Sequence, residues 1–509
     1  MSIRIALDNP PEFYTNLDFI SGRVIVVLHR PETIGNIIVK LEGESRTALS
    51  IQPERRDDYN VRGNSISENH KILYKVYQTF PNDGVALLFQ PGMHEFKFDF
   101  KIPLNNICHD ARAITATMGM GGLGTSVRTM DGTKQLMLAH LKSTLPPSVT
   151  GFPQEAEIRY YIKVTIQRPG IFKDNWRYQL GFKFLPIEPP RLNSGREAYV
   201  RRPFAFKPRT PLSGRRSFFG SKATNASNGV GQTPPSFEIA AKLPFPVILT
   251  CNEPISLRLV AKKLAAAQEQ VHLTALEIAL IGYTHVRVAN LEKIEQSRWI
   301  VLSAPNLSIA LGSADDPVDT EFDIPNTLWA AQRLPNTVAP SFRACNITRR
   351  YELEMRVSLA WGLPGAGKSS GLLPQTIALP LTMSKVEIFS GIKPPAKLVQ
   401  TAATAPAPTT ATTSTGVNAS GHVNGNGATP RPPPRPSPNG RPSLPPRPSN
   451  PLYPPQLGPD NVPAHDDAPP SYDEAMAESL AGPVDRPAYS GVTAENAPST
   501  MPPEKSGQH

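Results

Sequence analysis

An all-β chain, with two tandem antiparallel β-sandwiches followed by a long disordered proline-rich tail, is what this sequence predicts. The first ground is strict alternation. Phe96, Phe98, Phe100 and Ile102 interleave with Glu95, Lys97, Asp99 and Lys101, the period of a strand with one wet face. The second is punctuation by turn signals at Pro31-Glu32, Pro81-Asn82-Asp83-Gly84, Pro91-Gly92 and Pro169-Gly170, with few helical stretches between them. The third is composition: of 56 prolines, 26 fall in residues 393–509, among Ala, Thr, Ser, Gly and Asn. Such a segment buries too little apolar surface to offset the entropy of ordering it.

Taken in order, residues 1–190 read as the first sandwich. Ile37, Val39 and Leu41 alternate with Ile38, Lys40 and Glu42, and Ile162, Val164 and Ile166 with Lys163, Thr165 and Gln167. Residues 191–234 turn to Arg, Ser, Pro, Gly and Asn and read as a basic flexible linker. Residues 235–392 return to strands, best seen where Tyr351, Leu353, Met355, Val357, Leu359 and Trp361 flank Glu352, Glu354, Arg356 and Ser358. Residues 393–509 are the tail.

Composition also excludes classes of function. Three cysteines, Cys108, Cys251 and Cys345, lie far apart and offer neither a disulfide framework nor a CxxC pair, which fits a reducing, cytosolic setting. The start, Met1-Ser2-Ile3-Arg4-Ile5, is no signal peptide, and no window approaches the ~20 apolar residues of a membrane helix. The net charge of +10 is concentrated in residues 191–222 and at Arg431, Arg435, Arg441 and Arg447. Basic residues in linkers, without interleaved aromatics on a folded face, argue against nucleic acid; peripheral contact with an anionic membrane is the alternative use.

The motifs that carry chemistry are few. Pro469-Pro470-Ser471-Tyr472 is a PPxY element, followed by Asp473 and Glu474. Its prolines hold polyproline II, so docking in the aromatic groove of a WW domain costs little entropy, and Tyr472 sets the register. Gly362-Leu363-Pro364-Gly365-Ala366-Gly367-Lys368-Ser369 fits the phosphate-loop pattern GxxxxGK[ST]. A phosphate loop, however, leaves a buried parallel strand and opens a helix. The run before Gly362 has a wet face and Pro374 follows, so Gly362, Gly367, Lys368 and Ser369 are read as a chance match in a hairpin loop, with no cofactor. Gly119-Met120-Gly121-Gly122-Leu123-Gly124 fits GxGxxG without a preceding strand and is read as an insertion. No HxH or HxxxH pair exists among the ten histidines, so no metal site is expected, and no catalytic set stands out. Ser217, after Arg215-Arg216, is a possible phosphosite.

Gly92-Met93-His94-Glu95-Phe96-Lys97-Phe98 with Ile102-Pro103 resembles a strand of arrestin N-domains. Leu145-Pro146-Pro147-Ser148 and Ile158 to Val164 resemble that domain's closing strands. Ile281-Gly282-Tyr283-Thr284 and Cys345-Asn346-Ile347 resemble the fungal arrestin C-domain. With the PPxY, these segments make the chain similar to the α-arrestins, the arrestin-related trafficking adaptors. The resemblance implies a non-enzymatic adaptor, cytoplasmic and recruited to plasma membrane and endosomes. It would join cytoplasmic segments of transporters or receptors to a WW-containing HECT-type ubiquitin ligase and so promote cargo ubiquitination and endocytosis. Two other readings stay open: a scaffold in ambient-pH receptor signalling, and a retromer-like sorting subunit without a ubiquitin role.

Overall fold

Half-buried alternating strands can satisfy their backbone only by pairing and their apolar faces only by stacking, and the fold does both twice. The computed structural model describes residues 1–50, 65–80, 85–107, 141–152, 156–170, 173–191, 194–208, 233–266, 269–335, 337–362, 374–399, 479–483 and 486. The first half contributes β1 (Ser2–Leu7), β2 (Phe19–Leu28), β3 (Glu32–Ile34), β4 (Asn36–Ser50) and β5 (Ser65–Phe80). It continues with β6 (Leu87–Phe89), β7 (Gly92–Lys101), β8 (Val149–Phe152), β9 (Ala156–Gln167) and β10 (Trp176–Phe182). One sheet runs β1-β2-β7 and the facing one β10-β9-β4-β5, with β8 on β9 and a small β3-β6 pair alongside. Between them lie Val24, Val26, Phe98 and Phe100 from one side and Val39, Leu41, Ile162 and Val164 from the other. Each such burial contributes about 1.5–3 kcal/mol relative to exposure.

The second half begins earlier than its composition suggests. β11 (Arg196–Ala205) lies inside the stretch expected to be a linker, and pairs antiparallel along its whole length with β12 (Ser236–Phe245). The 191–234 boundary is therefore corrected: Arg196 to Ala205 belong to the second sandwich. β11 is an edge strand, so Arg196, Arg201, Arg202 and Pro203 face solvent, and that composition is what made it read as linker. The remaining strands are β13 (Ile248–Thr250), β14 (Arg258–Lys263), β15 (Val271–Val288), β16 (Leu291–Ala304) and β17 (Ile309–Ala310). Last come β18 (Glu321–Asp323), β19 (Phe342–Arg343), β20 (Ile347–Trp361) and β21 (Gln375–Phe389), with one 3-10 turn at Asn326–Leu328.

A sheet in order β11-β12-β14-β18 faces one in order β13-β21-β20-β15-β16, with β17 on β15 and β19 on β20. Their shared core holds Ile239, Leu259, Ile278, Leu280, Leu353, Met355, Val357 and Leu381. The alternation read in β20 holds residue by residue, since Tyr351, Leu353, Met355, Val357, Leu359 and Trp361 are all buried. The one parallel strand pair among the described strands is β13 with β21. Among the described residues no helix is long and apolar enough to cross a membrane.

Candidate functional site

The two sandwiches meet along a seam that the second half fills from two turns. Val286 and Val288 at the end of β15, with Cys345 and Ile347 at the start of β20, sit in the core of the first sandwich. Polar groups stitch the rim of this plug. Ser45 Oγ donates to Asn346 Oδ1 at 2.6 Å, and Asn346 Nδ2 donates to the Ser45 carbonyl and to Thr47 Oγ1, each at 3.1 Å. Thr47 Oγ1 donates to the Arg287 carbonyl at 2.8 Å. Glu68 accepts from Arg287 Nη2 at 3.0 Å and from the Ala289 amide at 2.7 Å, and lies 2.5 Å from His70 Nε2.

Burial would raise the Glu68 carboxyl, but His70, the Ala289 amide and Arg287 outweigh it and hold it below its ordinary value. Burial likewise works against a charged His70, and Cys345 and Glu68 beside it more than compensate, raising it. The seam is thus built around a buried Glu68–His70 contact in which each group favours the charged form of the other.

A second junction lies where the turn at Tyr14–Asp18 meets the crossover between the sandwiches. Across it the Tyr14 amide donates to the Lys183 carbonyl at 2.8 Å and the Leu185 amide to the Tyr14 carbonyl at 3.0 Å, the Asn16 side chain accepts from the Ile187 amide at 2.9 Å, and Asp18 Oδ2 caps the turn by accepting from the Thr15 amide at 2.8 Å. Crossover and second sandwich are tied by Glu188 N to the Ile392 carbonyl at 2.9 Å and by Ser390 Oγ to the Pro186 carbonyl at 2.7 Å. Arg191 forks onto Glu188 and reaches Thr250 Oγ1 at 2.9 Å.

Onto this junction folds a piece of the tail. Leu480, only 9% exposed, joins Phe13, Leu17, Leu185, Ile187 and Ile392 in a small apolar cluster. Arg486 Nη2 donates to both Asp18 carboxylate oxygens at 2.7 and 2.8 Å, its Nη1 donates to the Phe13 carbonyl at 2.7 Å, and its guanidinium lies over the Phe13 ring. Burial raises the Asp18 carboxyl, while the Thr15 amide and Arg486 pull it back. Composition gave no sign of these anchors, because a lone leucine and arginine in a proline-rich stretch carry no periodicity. The signal available was Leu480-Ala481-Gly482-Pro483, an apolar residue followed by a turn-forming pair.

The candidate residues found in the sequence distribute as follows. Pro469, Pro470, Tyr472, Ser217, Gly367, Lys368 and Ser369 lie outside the described residues, as does the GxGxxG stretch. Gly362 is described, with φ +82°. The strands on either side of the phosphate-loop-like string, β20 and β21, pair antiparallel with Trp361 opposite Gln375. That is the frame of a hairpin: the strand entering the string lies antiparallel to the strand leaving it. Among the described residues no group of His, Cys, Asp and Glu is placed to hold a metal.

One buried charged cluster lies elsewhere, on β4, β5 and β9. Lys71 Nζ donates to Glu42 Oε2 at 2.5 Å and Glu44 Oε1 at 2.6 Å, Arg159 donates to Glu44 at 2.9 Å, and the Tyr161 hydroxyl lies between both carboxylates. Glu157 lies a further 3.8 Å from Arg159, so three carboxylates face two cations and the cluster has no spare positive charge to offer an anion, although Arg159 Nε itself has no hydrogen-bond partner among the described residues.

This architecture of two sandwiches joined by a plugged seam can be set beside known proteins. Residues 3–109 match the family described as Arrestin (or S-antigen), N-terminal domain. The Arrestin-related trafficking adapter 10 of Lachancea thermotolerans is 25% identical over 136 residues, covering 23% of this chain. The matched stretch spans 32% of that relative's length. Over these stretches the chain is similar to arrestin N-terminal domains and to an arrestin-related trafficking adapter. The matched region runs from within β1 to beyond β7 and includes Gly92 to Phe98, the strand whose residues carried the resemblance.

Proposed function

We propose that this α-arrestin-like protein is a trafficking adaptor that joins membrane cargo to a WW-containing HECT-type ubiquitin ligase. The observation that carries the reading is a PPxY element, Pro469-Pro470-Ser471-Tyr472, on a chain whose residues 3–109 match the arrestin N-terminal domain. The relative's name, a trafficking adapter, supports the coarser half of it. In this reading Pro469 and Pro470 lie against the aromatic ridge of a WW groove and Tyr472 anchors the register. The β body contacts cytoplasmic segments of transporters or receptors, in the cytoplasm and at plasma and endosomal membranes. The protein acts by binding, with no reaction of its own.

One such peptide contact is worth about 6–8 kcal/mol, micromolar in scale. Useful engagement therefore draws on several WW domains or on recruitment to a membrane. The test is the full chain, wild type and Tyr472→Ala, against WW domains of HECT ligases, followed by cargo ubiquitination. Micromolar binding abolished by the substitution, together with loss of cargo ubiquitination, is expected. Ubiquitination that survives Tyr472→Ala would discard the reading.

A further inference from the structure

The tail segment at the first junction is chemically matched to its seat. Leu480 fills an apolar cleft formed by three separate segments of the chain, residues 13–17, 185–187 and 392. Arg486, six positions on, neutralises Asp18 and satisfies the Phe13 carbonyl. Between them, Gly482 passes so close that an added Cβ would lie 2.3 Å from Asp18 Oδ1 and 3.2 Å from the Asp18 amide nitrogen. Leucine answers an apolar cleft, while glycine and arginine both answer Asp18, one by leaving room beside it and the other by pairing with its carboxylate.

We propose that residues 480–483 and Arg486 are docked in cis, in a groove that reads a leucine and an arginine six positions apart, and that this docking holds the PPxY segment on a short tether at the junction of the two sandwiches. The second half of the statement rests on the reading of Pro469, Pro470 and Tyr472 as the ligase-binding element. Its arithmetic is direct. Tyr472 precedes Leu480 by eight positions, a span of about 26–29 Å at full extension. Reached only from Ile392, eighty positions upstream, the same tyrosine would be limited by the chain only to a reach of about 260–290 Å. Docking therefore converts a ligase recruited somewhere around the molecule into one presented from a single side, at raised local concentration for whatever is bound there.

The experiment uses the full chain as wild type, Arg486→Glu and Leu480→Asp. Hydrogen exchange of the Leu480, Ala481, Gly482 and Arg486 amides reads docking, and exchange of the β4 and β20 amides reports whether the body stays folded. Protection of at least about tenfold in the wild type, lost in both variants with the body unchanged, is expected. In the same samples with a ligase WW domain bound, amine cross-links from the WW domain to the exposed Lys393 and Lys397 should be abundant in the wild type and about tenfold rarer in the variants. Free exchange at residues 480–482 and 486 in the wild type overturns the docked peptide. Protection with equal cross-linking in all three chains overturns the tether. Protection without any WW binding removes the ligase reading, and the tether with it, while the docked peptide stands.

Discussion

Gly282 sits in the middle of β15 where no side chain fits. A Cβ there would come within 2.7 Å of Arg349 Nη2 and Trp299 Cζ3 and within 2.9 Å of Tyr351 Cε1. Arg349 cannot swing away easily, because it is buried between the Trp299 and Tyr351 rings and donates to Thr284 Oγ1 and the Tyr351 hydroxyl. Gly282→Ala is expected to cost about 1–3 kcal/mol, seen as a lower denaturation midpoint at unchanged slope. An unshifted midpoint would mean the pocket relaxes freely. The string Ile281-Gly282-Tyr283-Thr284 was conspicuous in the sequence, but the steric demand on its glycine was not. That demand comes from Arg349 and Tyr351 on β20 and Trp299 on β16, the strands on either side, and no local pattern encodes it. Leu480 and Arg486 were hidden for the same reason: their partners, Ile392 excepted, lie in the first sandwich and the crossover.

At the scale of strands, alternation was legible wherever one face met a core and the other met water. Phe98 and Phe100 on β7, Val39 and Leu41 on β4 and the whole of β20 behave so. It failed in two ways. β11 was missed because an edge strand carries arginine and proline outward, as linkers do. Glu42 was read on a wet face, yet it is buried with Glu44 among Lys71, Arg159 and Tyr161, a pairing across β4, β5 and β9 that only the register creates. That cluster sets an acid limit. Burial alone would raise the Glu44 carboxyl, but Lys71 and Arg159 prevail and bring it from 4.5 to about 2. Because the folded value is the lower, its stabilisation is complete above about pH 4.5 and is lost as pH falls towards 2, in all on the order of 3 kcal/mol. Glu44→Gln should flatten the fall of the thermal midpoint across that window. An acid limb of unchanged steepness in the variant would assign the effect elsewhere.

For the molecule as a whole, the sequence marked two β blocks and a proline-rich tail, and composition could say no more about how the blocks meet. Turns were legible as punctuation; that Val286, Val288, Cys345 and Ile347 plug the neighbouring core was not, since apolar residues at strand ends look alike whichever core they enter. A shared core predicts shared fate. Calorimetry of the full chain should show one cooperative β transition, and Ile347→Ala should lower it by about 2–5 kcal/mol as a single peak. Two separable peaks, only one of them moved, would show that the sandwiches unfold independently. The plug also has a consequence during synthesis. When the first 190 residues have left the ribosome, their core still lacks Ile347, which follows roughly 160 residues later, or about 8–30 s at 5–20 residues per second. Through that interval the nascent chain carries an open apolar socket. Chaperone occupancy, and any premature stop between the two blocks, should fall most heavily there.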